Sequence, residues 1–303
     1  MSGILVAGLI NIETTLRVEG FPIVYEPVRY PFYGVSSSVS GVGYNVAKAL
    51  GALGEDVRLA AMIGRDDAGQ LVYRRLRADG IAAGFVIDEL EQTPQSVILY
   101  DAEGRRQINV DLKDIQDRGY PPALFEQAAQ GCPCAVLCNI NFARPFLDVM
   151  QARGVPIATD VHAIADLDDD YNRDYMRAAQ ILFMSDERLP CPPEDWVRRV
   201  WERYKAEIVV VGLGAQGALL GVRSADCLER LPAVQTRPIV STIGAGDALF
   251  ACFVALYHRT GDPYLALRKA MVFASYKIGV ASAAEGFLDT AALDELYAQV
   301  AGG

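Results

Sequence analysis

The chain has 303 residues, of which 51% are hydrophobic and 22% charged, the make-up of an ordinary folded protein. Its length suits two domains or one large α/β domain with a sizeable core. Lys plus Arg number 28 and Asp plus Glu 38, and the resulting net charge of −10 argues against a broad nucleic-acid or anionic-membrane surface, so an anionic substrate would need a local positive site.

Residues 4–10 (ILVAGLI) form a short branched apolar run ending at polar Asn11, the pattern of a buried parallel strand. Similar runs recur at 57–63, 135–138, 155–159, 181–184 and 208–211, separated by helical spacing as at 68–78 and 196–204. Strands alternating with helices predict an α/β fold with a doubly wound, mostly parallel sheet covered on both faces. Residues 12–39 and 95–111 break this rhythm. Both are strand-like, the second around a Glu103-Gly104 turn, and are expected to pair as a small β lid on a core of residues 1–11, 40–94 and 112–303. Residues 270–285 read as a helix of small residues.

No apolar run approaches the roughly 18 residues of a membrane-spanning helix, and residues 1–10 carry no basic leader; the expectation is a cytoplasmic chain without membrane or nucleic-acid partners. Cys132, Cys134, Cys138, Cys191, Cys227 and Cys252 show no paired spacing and read as reduced thiols. With only His162 and His258 to add, the first three are short of ligands for a metal site.

The most informative stretch is STIGAGDALFACFVALY (241–257), a small polar turn running into an apolar segment of helical length. Gly244, Ala245 and Gly246 would begin the helix, where unpaired amides and the positive dipole end can hold a phosphate or developing negative charge. Asp247, in the first turn, has two readings. It complements the helix dipole, or it accepts a proton from an attacking hydroxyl beside that anion hole.

From Thr242 to Asp247 this run resembles the D-T-x-G-A-G-D signature of the ribokinase-like (phosphofructokinase B type) kinases of sugars and nucleosides, departing at Ser241, where the family carries Asp. The resemblance implies Asp247 as general base, the Gly244, Ala245 and Gly246 amides as the anion hole, Thr242 on the nucleotide side, and ATP and Mg2+ as cofactors. It also implies a monovalent cation (K+) near the run's first acid, the position Ser241 alters. A second cluster, SGVGYNVA (40–47), resembles the family's G-G-x-x-x-N-x-A element, with Ser40 at its first glycine; Gly41, Gly43 and Asn45 are thereby implied to contact a polyol. Asn11 and Glu13 resemble an N-x-D pair that holds sugar hydroxyls, with Glu for Asp, and residues 64–69 resemble a G-D-D-x-x-G motif with Arg65 at its first acid.

On the nucleotide side, residues 212–217 resemble a T-x-G-x-x-G turn beside the ATP phosphates, with Gly212 in place of Thr and contacts carried by Leu213, Gly214 and Gly217. They make no dinucleotide fingerprint, because an apolar strand follows, which speaks against an NAD-dependent oxidoreductase. Ser185, before Asp186, Glu187 and Arg188, stands where the family has N-x-x-E. It is a phosphate-side candidate or a plain helix cap. Asp160 and His162 resemble a D-x-N strand end, from which Asp160 would reach a phosphate-bound cation.

The expectation is an ATP-dependent kinase of a sugar or sugar-like hydroxyl, dimerising through the lid. A nucleoside kinase, favoured by Tyr25, Tyr30, Phe32 and Tyr33 and by Glu13, and a ligand-binding homologue without turnover are the alternatives.

Overall fold

A computed structural model describes residues 3–302. Strand β1 (Ile4–Ala7) is buried along its whole length, as a strand covered on both faces must be. The chain leaves the main sheet for β2 (Asn11–Arg17) and β3 (Val35–Ser40), and returns through helix α1 (Val42–Ala52) to β4 (Val57–Gly64). Helix α2 (Asp67–Ala78) and β5 (Val86–Leu90) lead to a second excursion, the hairpin of β6 (Gln95–Tyr100) and β7 (Arg106–Asp111). Alternation resumes with α3 (Pro122–Ala129), β8 (Ala135–Leu137), α4 (Pro145–Ala152), β9 (Ile157–Ala163), α5 (Arg173–Ala178), β10 (Ile181–Ser185), α6 (Pro193–Arg203) and β11 (Ile208–Gly212). Strands β12 (Ala218–Val222) and β13 (Cys227–Leu231) and helices α7 (Ala245–Thr260), α8 (Pro263–Lys277) and α9 (Thr290–Gly302) complete it.

The main sheet has nine strands in the order β13-β12-β11-β10-β9-β8-β1-β4-β5, parallel except for the β11-β12-β13 edge. Two hydrophobic cores lie on its opposite faces. One joins the sheet to α1, α2 and the α7–α9 region through Leu50, Phe250 and Phe273. The other joins it to α3–α6 through Phe125, Met150, Tyr175 and Trp196. Every residue from Ala248 to Leu256 is buried, so α7 is an interior helix that reaches the surface only at its two ends.

Strand order reverses between β1 and β8, and a crevice opens at the carboxyl ends of strands at such a switch point. Glycines close it tightly. A Cβ on Gly43, in the first turn of α1, would sit 2.5 Å from the Gly8 carbonyl carbon just after β1, so backbone packs against backbone there.

Strands β3-β2-β6-β7 form a separate four-stranded sheet, parallel between β2 and β6 and antiparallel elsewhere. Its two parts come from the two segments that broke the βα rhythm. The strand-like reading of residues 12–39 holds only at its ends, because residues 18–34, with Pro22, Pro27 and Pro31, lack the donors and regularity of a ladder. Their aromatics stand out from the surface, Tyr25 at 86%, Phe32 at 85% and Tyr33 fully exposed.

The helix expected over 270–285 ends at Lys277. There the Tyr276 carbonyl accepts from Arg237 Nε at 2.5 Å and from the Gly279 amide at 3.2 Å, which closes the last turn before the small residues are reached. All six cysteines are free, and among the described residues no group of three His, Cys, Asp or Glu is placed to hold a metal. No described helix is long and apolar enough to cross a membrane.

Candidate active site

Helix α7 begins at Gly244, whose φ of 75° is left-handed and whose Cβ would meet the Ala283 carbonyl oxygen at 2.6 Å. Only glycine turns the chain there. The Ala245 amide donates back to the Thr242 carbonyl at 3.2 Å. Of the three residues expected to offer amides, Ala245 is therefore engaged in the turn itself. The Gly244 amide, ahead of the helix, and the Gly246 and Asp247 amides in its first turn have no protein partner among the described residues. A Cβ on Gly246 would meet nothing within 4 Å, so the helix start is open on that side.

Asp247 is reached from the opposite end of the sequence. Asn45 Nδ2, on α1, donates to Asp247 Oδ2 at 2.7 Å. The other end of Asn45 faces the Ser40 hydroxyl at 3.3 Å, and that hydroxyl also lies 3.0 Å from Glu13 Oε2. Serine at the expected first glycine position thus links the candidate base to the lid strand β2. Burial pushes the Asp247 carboxyl above the usual aspartate range, against the Asn45 hydrogen bond and the opposing charges of His162 and Lys277. Burial raises Glu13 in the same way, against the Ser40 hydrogen bond. Glu13 Oε1 and Asn11 Oδ1 are buried with no protein partner, while Asn11 Nδ2 donates to Ser96 Oγ on β6 at 3.1 Å. Two unpartnered acceptor oxygens on the same face of β2, on residues 4% and 6% exposed, match the needs of a hydroxyl-rich ligand.

Gly41 and Gly43 act through backbone approach. Gly41, with φ of 103°, would place a Cβ 2.5 Å from the Leu9 carbonyl oxygen, so it lets α1 start close against the segment after β1. The Asp66 carboxylate, in the G-D-D-like stretch, accepts from the Gly69 and Thr93 amides and the Thr93 hydroxyl, which hold it below the usual range despite burial. It joins α2 to the start of the β6 hairpin.

The nucleotide-side candidates are more dispersed. Gly212 ends β11. The Leu213 amide donates to the Gly217 carbonyl at 2.9 Å, and Gly214 and Gly217 take positive φ. A side chain on Gly217 would start 2.0 Å from the Leu231 carbonyl oxygen, so this glycine serves the close approach of the β13 end. Ser185 Oγ accepts from the Glu187 amide at 3.3 Å, which is the capping geometry. Strand β9 is irregular beside β10. The register shifts between Asp160 and Ala163, and His162 has φ of 58°, a bulge at the carboxyl end of the strand. The charges of Asp160 and His162 are both felt at Asp247.

Two cations were not singled out in the sequence. Arg106, on lid strand β7, donates to Thr242 Oγ1 at 3.2 Å and to Glu187 Oε1 at 3.3 Å. It bridges the lid, the turn before Gly244 and the β10 end, beside packing of Ile98 on Ile243 and Ala283. Lys277, the last residue of α8, is wholly buried and its ammonium donates to the Ile243 carbonyl. Lys277 stands between Tyr276 and Ile278 and Arg106 between Arg105 and Gln107, and neither setting distinguishes them from many surface lysines and arginines.

Residues 1–131 and 159–291 match the family described as pfkB family carbohydrate kinase. An ATP-dependent ribose-1-phosphate kinase of Halopiger xanaduensis is 29% identical over 276 residues, covering 89% of this chain and 90% of that protein. A 1-phosphofructokinase of Haloferax volcanii is 30% identical over 277 residues, 87% of each chain. Among solved structures, a microbiome-derived acarbose kinase superposes with a TM-score of 0.87 at 27% identity, covering 98% of this chain and 99% of that one. The family match spans both halves of the crevice, from Asn11 and Asn45 to Asp247, and the fold is ribokinase-like: the chain belongs to the pfkB family of carbohydrate kinases.

Proposed function

We propose that this chain transfers the γ-phosphoryl group of ATP to a hydroxyl of a sugar or sugar-like molecule, with Asp247 as general base. The observation that carries this reading is a crowded carboxylate, oriented by Asn45, in the same helical turn as two unpaired amides. Phosphoryl transfer needs an oriented acceptor, charge neutralisation and little covalent chemistry from the protein. Asp247 accepts the acceptor proton as the oxygen attacks, and the Gly246 and Asp247 amides hold charge on the phosphoryl oxygens. Asn11 and Glu13 orient the acceptor through their free oxygens, and Arg106 closes the lid over the phosphate side, excluding water as a competing acceptor. Thr242 and the 212–217 turn border the nucleotide.

Magnesium takes one or two carboxylates with phosphate oxygens and water, and Asp160 and Glu187 are the hard oxygen groups suited to hold it. When bound it neutralises phosphate charge. Potassium finds no such set. Ser241 brings no charge, its hydroxyl accepts from the Ile243 amide at 3.3 Å, and the Ile243 carbonyl is already engaged by Lys277.

The exposed aromatics of residues 18–34 favour a nucleoside as the second reading. A homodimer through the lid is supported by its outer face, where strand alternation and register put Leu16, Val35, Val97 and Leu99 on one side.

The test is ADP release with magnesium and ATP across pentoses, hexoses, sugar phosphates and nucleosides, with Asp247→Ala beside each. Acceptor-dependent ADP that vanishes in the variant is the expected result. Silence across the panel with thermal stabilisation by one of its members would replace the kinase reading by a binding protein.

A further inference from the structure

A lysine with no exposed surface, in a helix end beside a catalytic turn, calls for an account, because lysine is almost never fully buried without a partner. Its surroundings are specific. The amides of Val240 and Ser241 both donate to the Ile278 carbonyl, at 2.9 and 3.0 Å, so the segment entering the turn is fastened to the end of α8. The Lys277 ammonium adds a third link one step further on, at the Ile243 carbonyl. The next residue is Gly244, where the left-handed turn begins, and Ile243 itself is wedged between Ile98 of the lid and Ala283. Burial pushes the ammonium's pKa down to about 8, with Arg237 acting in the same direction, while the carboxylates of Asp247 and Glu13 oppose the shift and favour the charged form.

Taking the proposed kinase reading as its basis, we infer that Lys277 is a tethered monovalent cation of the active-site turn, standing in for an exchangeable K+ and making phosphoryl transfer in this chain independent of potassium. Two observations and one physical argument converge. The acid position where the family resemblance puts the cation environment is a neutral serine whose hydroxyl is already engaged. The carbonyl two residues on accepts from an ammonium of this same chain. A second cation placed beside a buried ammonium would meet like-charge repulsion in a medium that screens poorly. The ammonium fixes the carbonyl side of the turn and so directs the Gly246 and Asp247 amides outward, and its charge lies behind the site where phosphoryl charge develops, in place before reaction. Lys277 touches neither reactant and is a positioning residue.

The test compares initial rates and melting temperatures of the wild type in potassium and tetramethylammonium chloride at equal ionic strength, beside Lys277→Met, which keeps the bulk without the charge, and Lys277→Ala, which leaves room. The wild type is expected to show the same kcat and the same melting temperature in both salts. Lys277→Met is expected to lose kcat by about ten- to a hundred-fold with KM for ATP and acceptor much less affected. Lys277→Ala is expected to regain kcat, and to melt higher, in ammonium or potassium but not in tetramethylammonium; a purely structural lysine would give no such ion-selective return of kcat. A several-fold rise of wild-type kcat with potassium, a potassium-specific rise in its melting temperature, or a Lys277→Met enzyme as fast as the wild type would each overturn the inference. Should the variants not fold, the wild-type salt comparison decides. Should no acceptor be phosphorylated, the kinase reading fails separately, and the wild-type melting temperatures still decide whether the chain takes up potassium.

Discussion

Asn45 and Asp247, 202 residues apart, meet through a 2.7 Å hydrogen bond from Asn45 Nδ2 to Asp247 Oδ2. The bond ties the start of α1 to the start of α7 and continues through Ser40 to Glu13 of the lid. Asn45 therefore acts first on the carboxylate. Asn45→Ala should lower kcat by about 10- to 100-fold with a smaller change in acceptor KM, since a charge-assisted hydrogen bond that aims the base is lost. Steady-state kinetics with both substrates varied checks this; a change confined to KM would place Asn45 on the acceptor instead.

Asp247→Asn should cost about 10²- to 10⁴-fold in kcat while the protein stays folded. Burial raises the Asp247 carboxyl, so the acid limb of the wild-type kcat profile should lie above the ordinary aspartate value of 3.8. The sign for stability follows. A carboxyl whose folded pKa is raised stabilises the fold fully below its unfolded pKa and loses that contribution as pH rises through the folded pKa. At neutral pH the uncharged Asp247→Asn should melt at or above the wild type, with the gap closing in acid. Melting curves across pH test it, and a large loss of stability at neutral pH would contradict it.

Gly246 and Gly244 should respond oppositely. A Cβ on Gly246 meets nothing, so Gly246→Ala should be neutral or gain up to about 1 kcal/mol from helix propensity, yet raise KM for ATP by intruding on the anion site. Gly244→Ala faces the Ala283 carbonyl and a left-handed φ, and should destabilise. Chemical denaturation beside ATP kinetics separates the two effects.

Arg106→Ala removes the lid's bonds to Thr242 and Glu187. The side chain is partly exposed, so stability should change little, while kcat should fall about ten-fold or more if lid closure supplies phosphate-side charge. Activity equal to the wild type would leave the arginine as a surface contact.

Val97→Lys, on the outer face of the lid, should shift the assembly toward monomer in sedimentation, with the fold intact, because a charge would be placed in the apolar contact. A monomeric wild type would end the dimer reading.

The sequence by itself determined the alternating α/β architecture, because buried parallel strands such as β1 and the interior helix α7 write their environment into continuous apolar runs. It also determined the turn at residues 242–247, since only small residues and glycine admit a left-handed entry and an open amide. Exposed residues 18–34 carry strand-like composition without a ladder, and the end of α8 depends on Arg237 from a distant loop, so neither could be read locally. Tertiary structure alone decided that the Ala245 amide is spent on the Thr242 carbonyl, that Asn45 and Ser40 bond the carboxylates, and that Arg106 reaches Thr242 and Lys277 the Ile243 carbonyl. The physical reason is common to all of these. A hydrogen bond or a buried charge is defined by what lies across the fold, and no window of sequence contains both partners.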